Sequence, residues 1–583
     1  MHDSLVELIE ASCRKFKERD IFGTKTSNGW EWLTYGDFKK RVDEVRGGLA
    51  ARGVGAGDRV AIVANNCVEW ATVAYATYGL GAVFVPMYTA QKPTEWRYIL
   101  EDCGAKVVFA ATNDIHDALA KLEPDLPELQ HVIGLQLAAD SADSYAALKK
   151  TGLDSPVDPV YPKPEDVAGF IYTSGTTGTP KGVILTHKNL CTNCAGVQPL
   201  FSINQERTLS FLPWAHSFGQ TAELHYLVSG GHTLAINDDP QNLVSNLAVV
   251  RPTMLLAVPR IFNKIYDGVN RQMSEKPQVI QKLFRAGLKL AHQKSEGKNL
   301  DLVGRLTLQL AEKLIFSKVR QKFGGRLKLV ISGSAALSKE VAEFIDALGI
   351  MVYEGYGLTE TSPVVSVNFP GFRKIGSVGQ AIPDVRIEID ETKSDVDGEG
   401  EILIHGPNVM RGYHNCPEET KAAIRDDGSF RTGDLGRLDG EGFLYITGRL
   451  KEQYKLENGK WVAPAPLEEQ MKLSALVLNA MLYGRNRLHN VAIIVPDPVG
   501  LKDWANAEGL SVNDELFTSE KLHTKLLSEI RSVATRMKNY EQPRKLLVVK
   551  DEFTTENGML TPSLKVKRRI VLEKYGDQLN ALY

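Results

Sequence analysis

Short apolar runs alternate with helix-period segments over the first three quarters of the chain. The run at 60–63 precedes a helical pattern near 67–78, and 106–109 precedes one near 114–122. The run at 330–332 precedes another over 338–348. This alternation predicts parallel sheets with helices on both faces. Residues 385–389 and 400–405 differ: they are short alternating strands separated by Asp-Gly and Gly-Glu-Gly, which predicts a small antiparallel barrel. Leu438-Asp439-Gly440-Glu441-Gly442-Phe443 predicts a tight hairpin, with a strand over 444–447. Near the start, Leu5, Leu8, Ile9 and Ser12 share one helical face behind an acidic opening, which predicts an amphipathic helix and not a secretory signal. From Trp70 to Gln91 no residue is charged, a length that could cross a bilayer. Gly79, Gly81 and Pro86 interrupt it, so it reads as a buried helix, a turn and a buried strand over 82–85.

A length of 583 residues implies several domains, or one large domain with an appendage. A net charge of -2 gives no support for a dedicated nucleic-acid binder. The six cysteines are too sparse for a disulfide framework, so a reducing, cytoplasmic setting is expected. Cys191 and Cys194 form a CxxC with no second pair for a structural zinc, and read as small residues on a helix. The region 262–325 is helical in pattern and rich in Lys and Arg. It reads first as packed surface helices; a peripheral membrane contact or the wall of an apolar tunnel is the alternative. Oligomeric state has no signal in the sequence.

Candidate chemistry concentrates in Tyr172-Thr173-Ser174-Gly175-Thr176-Thr177-Gly178-Thr179-Pro180-Lys181-Gly182. Glycines let the backbone approach a ligand, successive N–H groups make an anion-binding concavity, and Lys181 suits a polyphosphate. It is not a Walker A loop, because Pro180 precedes Lys181 and Gly182 follows it.

This loop resembles the signature of the adenylate-forming enzymes: acyl-CoA synthetases, peptide-synthetase adenylation domains and luciferases. Four further segments resemble that family in the same order. Tyr353-Glu354-Gly355-Tyr356-Gly357-Leu358-Thr359-Glu360 is similar to its adenine- and magnesium-binding motif. Arg431-Thr432-Gly433-Asp434 is similar to its ribose motif, Gly448-Arg449-Leu450-Lys451-Glu452 to its hinge, and Leu560-Thr561-Pro562-Ser563-Leu564-Lys565 to its catalytic-lysine motif. Gly333-Ser334-Ala335 resembles the segment lining the adenine and acyl pockets. The resemblance covers essentially the whole chain. It implies an α/β fold with a large N-terminal adenylation domain over 1–448, built of parallel subdomains plus a small β-barrel. A hinge over 449–451 and a smaller, mobile α+β domain over 452–583 would follow.

The resemblance also implies roles. Thr173, Ser174, Gly175, Thr176, Thr177, Gly178 and Lys181 would hold the triphosphate of ATP. Gly333, Ser334, Ala335, Glu354, Gly355, Tyr356, Gly357, Asp434 and Arg449 would hold the nucleoside. Glu360 and Thr176 would hold Mg²⁺, for which a hard oxygen ligand is suited. Lys565, Glu360, Thr359 and His216 would be catalytic, Lys567 being the alternative lysine, and Lys451 would be the hinge pivot. Each has an ordinary reading too: Asp434 as a turn residue, His216 as a structural histidine, Lys565 as one cation in a solvated run. The order of the motifs is what favours the functional reading. Tyr454–Pro466 and the LTPSLKVKRR segment resemble the long-chain acyl-CoA synthetases, as does the long helical region. A fatty acid, ATP and CoA are therefore the expected substrates. No carrier-protein domain follows the lysine motif, which favours CoA as acceptor; another carboxylic acid or a carrier protein is the alternative. A nucleotide-binding sensor without catalysis is disfavoured by Glu360, Asp434 and Lys565 together.

Overall fold

The computed structural model describes residues 1–174, 179–201, 203–295, 297–534, 537–561 and 565–583, the side chain of Ser174 excepted. The fold is α/β, as expected. Arg59–Val63, Val83–Met87, Ala105–Ala110 and His131–Gly134 lie parallel in a seven-stranded sheet. Val167–Ser174 joins them beside Val83–Met87, and Pro180–Thr186 folds back antiparallel onto it. The uncharged stretch becomes helix Val68–Tyr78, buried at every residue but Glu69, and the wholly buried strand Val83–Met87. A strand covered on both faces needs no polar alternation, which explains the long apolar run. No helix among the described residues is long and apolar enough to cross a membrane.

A five-stranded sheet carries Met254–Ala257, Leu329–Ser332 and Met351–Gly357 in parallel, then Val364–Val367 antiparallel. Arg386–Asp390, Gly400–His405, Phe430–Leu438 and Leu444–Arg449 pair antiparallel in that order. The last strand of this ladder is tied at Leu444 to the backbone at 378–379, the Val378 N–H donating to the Leu444 carbonyl at 2.9 Å and the Leu444 N–H to the Gly379 carbonyl at 2.8 Å, which links it to the five-stranded sheet through the short strand Gln380–Ala381. Gly400–His405 does not alternate; it is an inner strand, buried from Gly400 to Ile404. The last strand runs past the expected 447 to Arg449, so the sheet itself positions that side chain.

The chain from Tyr454 onward buries clusters on both faces of the three-stranded sheet Val477–Tyr483, Asn490–Pro496 and Pro543–Val548. Strand alternation divides them: Ala480, Leu482, Ala492 and Ile494 face one side, Met481, Val491 and Ile493 the other. Arg568 starts the final helix, Arg568–Asn580, and donates to Glu468 at 2.5 Å and to the Leu482 carbonyl at 3.1 Å. The basic region is helical as expected: Pro259–Ser274, Gln278–Ser295, Leu302–Ala311 and Ser317–Lys322. Cys191 and Cys194 are buried thiols on helix His187–Val197, and burial pushes Cys194 up to about 12.

Candidate active site

A cavity of about 1390 Å³ opens between the sheets and the C-terminal segment. Its lining divides by chemistry. Thr173, Lys181, His216, Ser217, Thr359, Glu360, Arg449 and Lys565 are polar or charged; Val197, Phe201, Phe218, Ala222, Leu256 and Ile331 are apolar. Gly333, Ser334, Gly355, Tyr356, Gly357 and Lys451 also line it. Most of the residues singled out in the sequence thus meet in one place, though the last lies nearly four hundred positions from the first. Gly175, Thr176, Thr177 and Gly178 lie outside the described residues, with the side chain of Ser174.

The strands flanking that loop are a hairpin that pairs Thr173 with Lys181. The Lys181 ammonium lies 3.5 Å from Glu419 and 5.5 Å from the centre of the Tyr413 ring. Tyr413 sits on Gly412–Tyr413, a short strand paired with Pro180–Thr186, and its hydroxyl donates to Glu360 at 2.9 Å. Tyr413 therefore links the loop's hairpin to the Glu360 carboxylate. No local pattern marks it in the sequence. Glu360 lies in the 3₁₀ turn Thr359–Thr361, where the Thr359 and Ser217 hydroxyls stand 3.1 Å apart. Among the described residues no group of three or more His, Cys, Asp or Glu could enclose a metal. The Glu360 carboxylate and Thr359 hydroxyl are hard oxygen donors, and Mg²⁺ commonly takes one or two carboxylates and completes its shell with water and substrate phosphates. These residues fit that mode.

Tyr356 donates to the Asp434 carboxylate at 2.8 Å, and Arg449 Nε donates to its other oxygen at 2.6 Å. The second bond follows from register, since Asp434 and Arg449 are directly paired across two antiparallel strands. Burial and then Asp434 push the Tyr356 phenol up, so it stays protonated as a donor. Asp434 itself is buried behind the wall formed by Thr432 and Gly433. Gly357 lines the cavity and is also crowded from within the protein. A Cβ there would stand 1.7 Å from the Pro363 carbonyl oxygen, so the close neighbour is the protein's own chain. At Gly355 the same contact with Ser366 would be 3.2 Å.

Besides Asp434, two further singled-out residues do not line the cavity. Glu354 is buried away from it, accepting from the Gly376 N–H at 3.1 Å, and burial raises its carboxyl to about 7. Ala335 is exposed beyond the wall. Among the described residues, the region 262–325 contributes no lining residue to this cavity.

Lys565 is held by two hydrogen bonds to Thr561. Its N–H donates to the Thr561 hydroxyl at 3.0 Å and its carbonyl accepts from the Thr561 N–H at 2.8 Å. Its open surface faces into the cavity, with protein around it. That enclosure, then the Arg449 charge, lowers its ammonium pKa. Burial, then Lys565, lowers His216 to about 4, so the imidazole is neutral at pH 7. Its Nδ1 accepts from the Phe218 N–H at 3.2 Å, which leaves the proton on Nε2 as a donor.

The apolar side of the cavity is shaped by the π-helix Phe218–His225. Gly333 lets the Phe218 ring close in, since a Cβ would meet it at 3.1 Å. Beneath, the fully buried Glu223 accepts from Ser210 at 2.5 Å and from Trp214 Nε1 at 3.2 Å. Burial raises this carboxyl from 4.5 to about 8. A raised folded pKa favours the native state below the unfolded value, and that advantage is lost as pH rises toward 8. Glu223→Gln should therefore raise the Tm by several degrees at pH 8 and flatten its decline between pH 4.5 and 8. Thermal melts across that range check it, and an unchanged slope would count against a neutral Glu223.

Known proteins resemble this chain over nearly its whole length. Residues 9–414 match the AMP-binding enzyme family, and 451–583 match the AMP-binding enzyme C-terminal domain. The chain is 33% identical over 602 residues to a long-chain-fatty-acid–CoA ligase of Mycobacterium bovis, covering 100% of this chain and 97% of that protein. It is 30% identical to the peroxisomal long chain acyl-CoA synthetase 7 of Arabidopsis thaliana, covering 100% and 86%. Among solved structures, the adenylation domain of a carboxylate reductase from Mycobacterium chelonae superposes with a TM-score of 0.80 at 25% identity, covering 100% and 91%.

Proposed function

The chain belongs to the AMP-binding enzyme family, and from that premise we propose that it is an ATP-dependent ligase joining a long-chain fatty acid to coenzyme A. The observation that carries this is the single cavity in which Lys565, Glu360 and Lys181 meet an apolar extension. A fatty carboxylate placed there has its head among charges and its tail along Val197, Phe201, Ala222 and Ile331. Each CH₂ buried along that side contributes about 0.8 kcal/mol.

In the first step a carboxylate oxygen attacks the α-phosphorus of ATP. The bond to the β-phosphate's bridging oxygen breaks, and pyrophosphate leaves. Negative charge gathers on phosphoryl oxygens, so catalysis is chiefly positioning and positive charge. Lys565 bridges the carboxylate and α-phosphate, Lys181 holds the departing phosphates, and the Nε2–H of neutral His216 orients the acid. Mg²⁺, bound by Glu360 and Thr359, would supply further positive charge to the phosphates. In the second step the CoA thiol sulfur attacks the acyl carbon and AMP leaves. The segment from 452 on turns about 449–451 between the steps, with Lys451 at the pivot, which withdraws Lys565 and clears a path for the thiol.

Purified protein is expected to exchange labelled pyrophosphate into ATP only when a fatty acid is present, with the rate rising along a series toward long chains. CoA should then yield the thioester. Absence of exchange across the whole acid series would remove the adenylation reading. Exchange without thioester formation would remove only the choice of acceptor.

A further inference from the structure

Leu302, Leu306 and Leu310 recur at every fourth position of helix Leu302–Ala311, and Leu314 continues the row into the π turn after it. They are 74%, 58%, 49% and 40% exposed, and Val303 beside them is 70% exposed. At 3.6 residues per turn these side chains form one strip. The helix already has another face for packing. Gly304 and Ala311 turn toward helix Gln278–Ser295: a Cβ on Gly304 would meet Leu290 at 3.2 Å, and one on Gly287 would meet Ala311 at 2.5 Å. The leucine strip is therefore additional to the face that holds the helix in place. An exposed contiguous apolar surface of this kind marks a contact site.

The surrounding charge selects the partner. Between 276 and 311 there are seven Lys or Arg and two acidic residues, on a chain whose overall charge is -2. One of the two, Asp301, is turned inward to cap its helix, accepting from the Gly304 N–H at 2.8 Å. Helix Gln278–Ser295 has no acidic residue and exposes Lys282, Arg285 and Lys289. Arg305 on this helix and Lys313 in the π turn after it flank the leucines, and Glu312 beside Lys313 is engaged by Arg320. Leucines suit acyl chains and the cations suit acidic headgroups. A second copy of the same surface would set these cations against one another.

We propose that the strip on Leu302–Ala311, with the cations of Gln278–Ser295, docks this protein on an anionic lipid bilayer. The helix lies in the interface and does not span it, since ten residues reach only about 15 Å.

Flotation of the full chain with vesicles tests this, using phosphatidylcholine alone or mixed with phosphatidylglycerol. The protein is expected to float with the anionic vesicles and to be released by salt. A Leu306→Glu, Leu310→Glu double variant should partition about tenfold less or weaker still. Lys282→Gln with Lys289→Gln should lose only the gain from phosphatidylglycerol, roughly fivefold per cation. Fatty-acid-dependent pyrophosphate exchange on dissolved acid should stay unchanged in both, because none of these residues lines the cavity. The proposal is overturned if the unaltered protein does not float with anionic vesicles, or if the leucine variant floats equally well. A dimer that the leucine variant splits, with no vesicle binding, would assign the strip to a second copy and overturn it too. Flotation does not read catalysis, so these outcomes are separate from the ligase reading.

Discussion

Lys565→Ala is expected to slow fatty-acid-dependent pyrophosphate exchange about a hundredfold or more, the scale for removing one fixed donor from a developing oxyanion. Transfer to CoA from supplied acyl-adenylate should stay near the unaltered rate, because the turning segment carries Lys565 away before that step. The cavity gives this prediction a second readout. Enclosure, then Arg449, lowers the Lys565 ammonium from its ordinary value, and the protonated form is the useful one. Exchange should therefore hold at lower pH and fall as pH rises through this lowered pKa, before the ordinary lysine range. Lys565→Arg should retain part of the rate and move that alkaline limb upward, since guanidinium keeps its charge. Lys567 also lines the cavity, and Lys567→Ala is expected to leave exchange nearly intact. An alkaline limb that stays fixed in Lys565→Arg, or exchange that fails in Lys567→Ala, would move the role off Lys565.

The fold class was legible because it rests on local periodicity. The uncharged run at 70–91 could be resolved into helix and strand from its glycines and proline alone. How the antiparallel ladder joins the rest was not legible, because Phe430–Leu438 meets Gly400–His405, and Leu444 meets the backbone at 378–379, only through space. The site was legible where short contiguous motifs carry it, as at Thr359-Glu360 and Arg449. It was not legible where residues distant in sequence complete it. Tyr413 and Ser217 reach Glu360 and Thr359 through hydrogen bonds spanning 53 and 142 positions. The apolar side was hidden for another reason: Val197, Phe201 and Ile331 carry the same signal as any core residue. Glu354 shows what a motif leaves open. It sits inside a motif, but its side chain turns to the Gly376 N–H, and motif membership does not say which way a residue on a strand faces.

Asp434→Ala is expected to raise the KM for ATP about a hundredfold while lowering kcat far less. The geometry supplies the reason. One carboxylate accepts from both Tyr356 and Arg449, and an ionised carboxylate offers about four acceptor sites, so two remain for vicinal ribose hydroxyls. Asp434 is 5% exposed, whereas the Arg449 side chain is 38% exposed, so water can partly solvate the arginine once its partner is gone. The stability loss should therefore be about 1–3 kcal/mol, below the range for breaking a fully buried pair. Asp434→Asn keeps the volume and one acceptor, and should sit between the two in KM with a Tm near the unaltered value. Because Thr432 and Gly433 form the wall ahead of Asp434, it could act on ribose directly or by holding Tyr356 and Arg449 in place. Comparing ATP with 2′-deoxy-ATP separates these. Direct contact predicts that the unaltered protein prefers ATP and that Asp434→Ala erases the preference, since the lost partner is the one that senses the hydroxyl. A preference that survives in Asp434→Ala would make Asp434 a positioning residue, and Tyr356→Phe should then reproduce part of its KM effect.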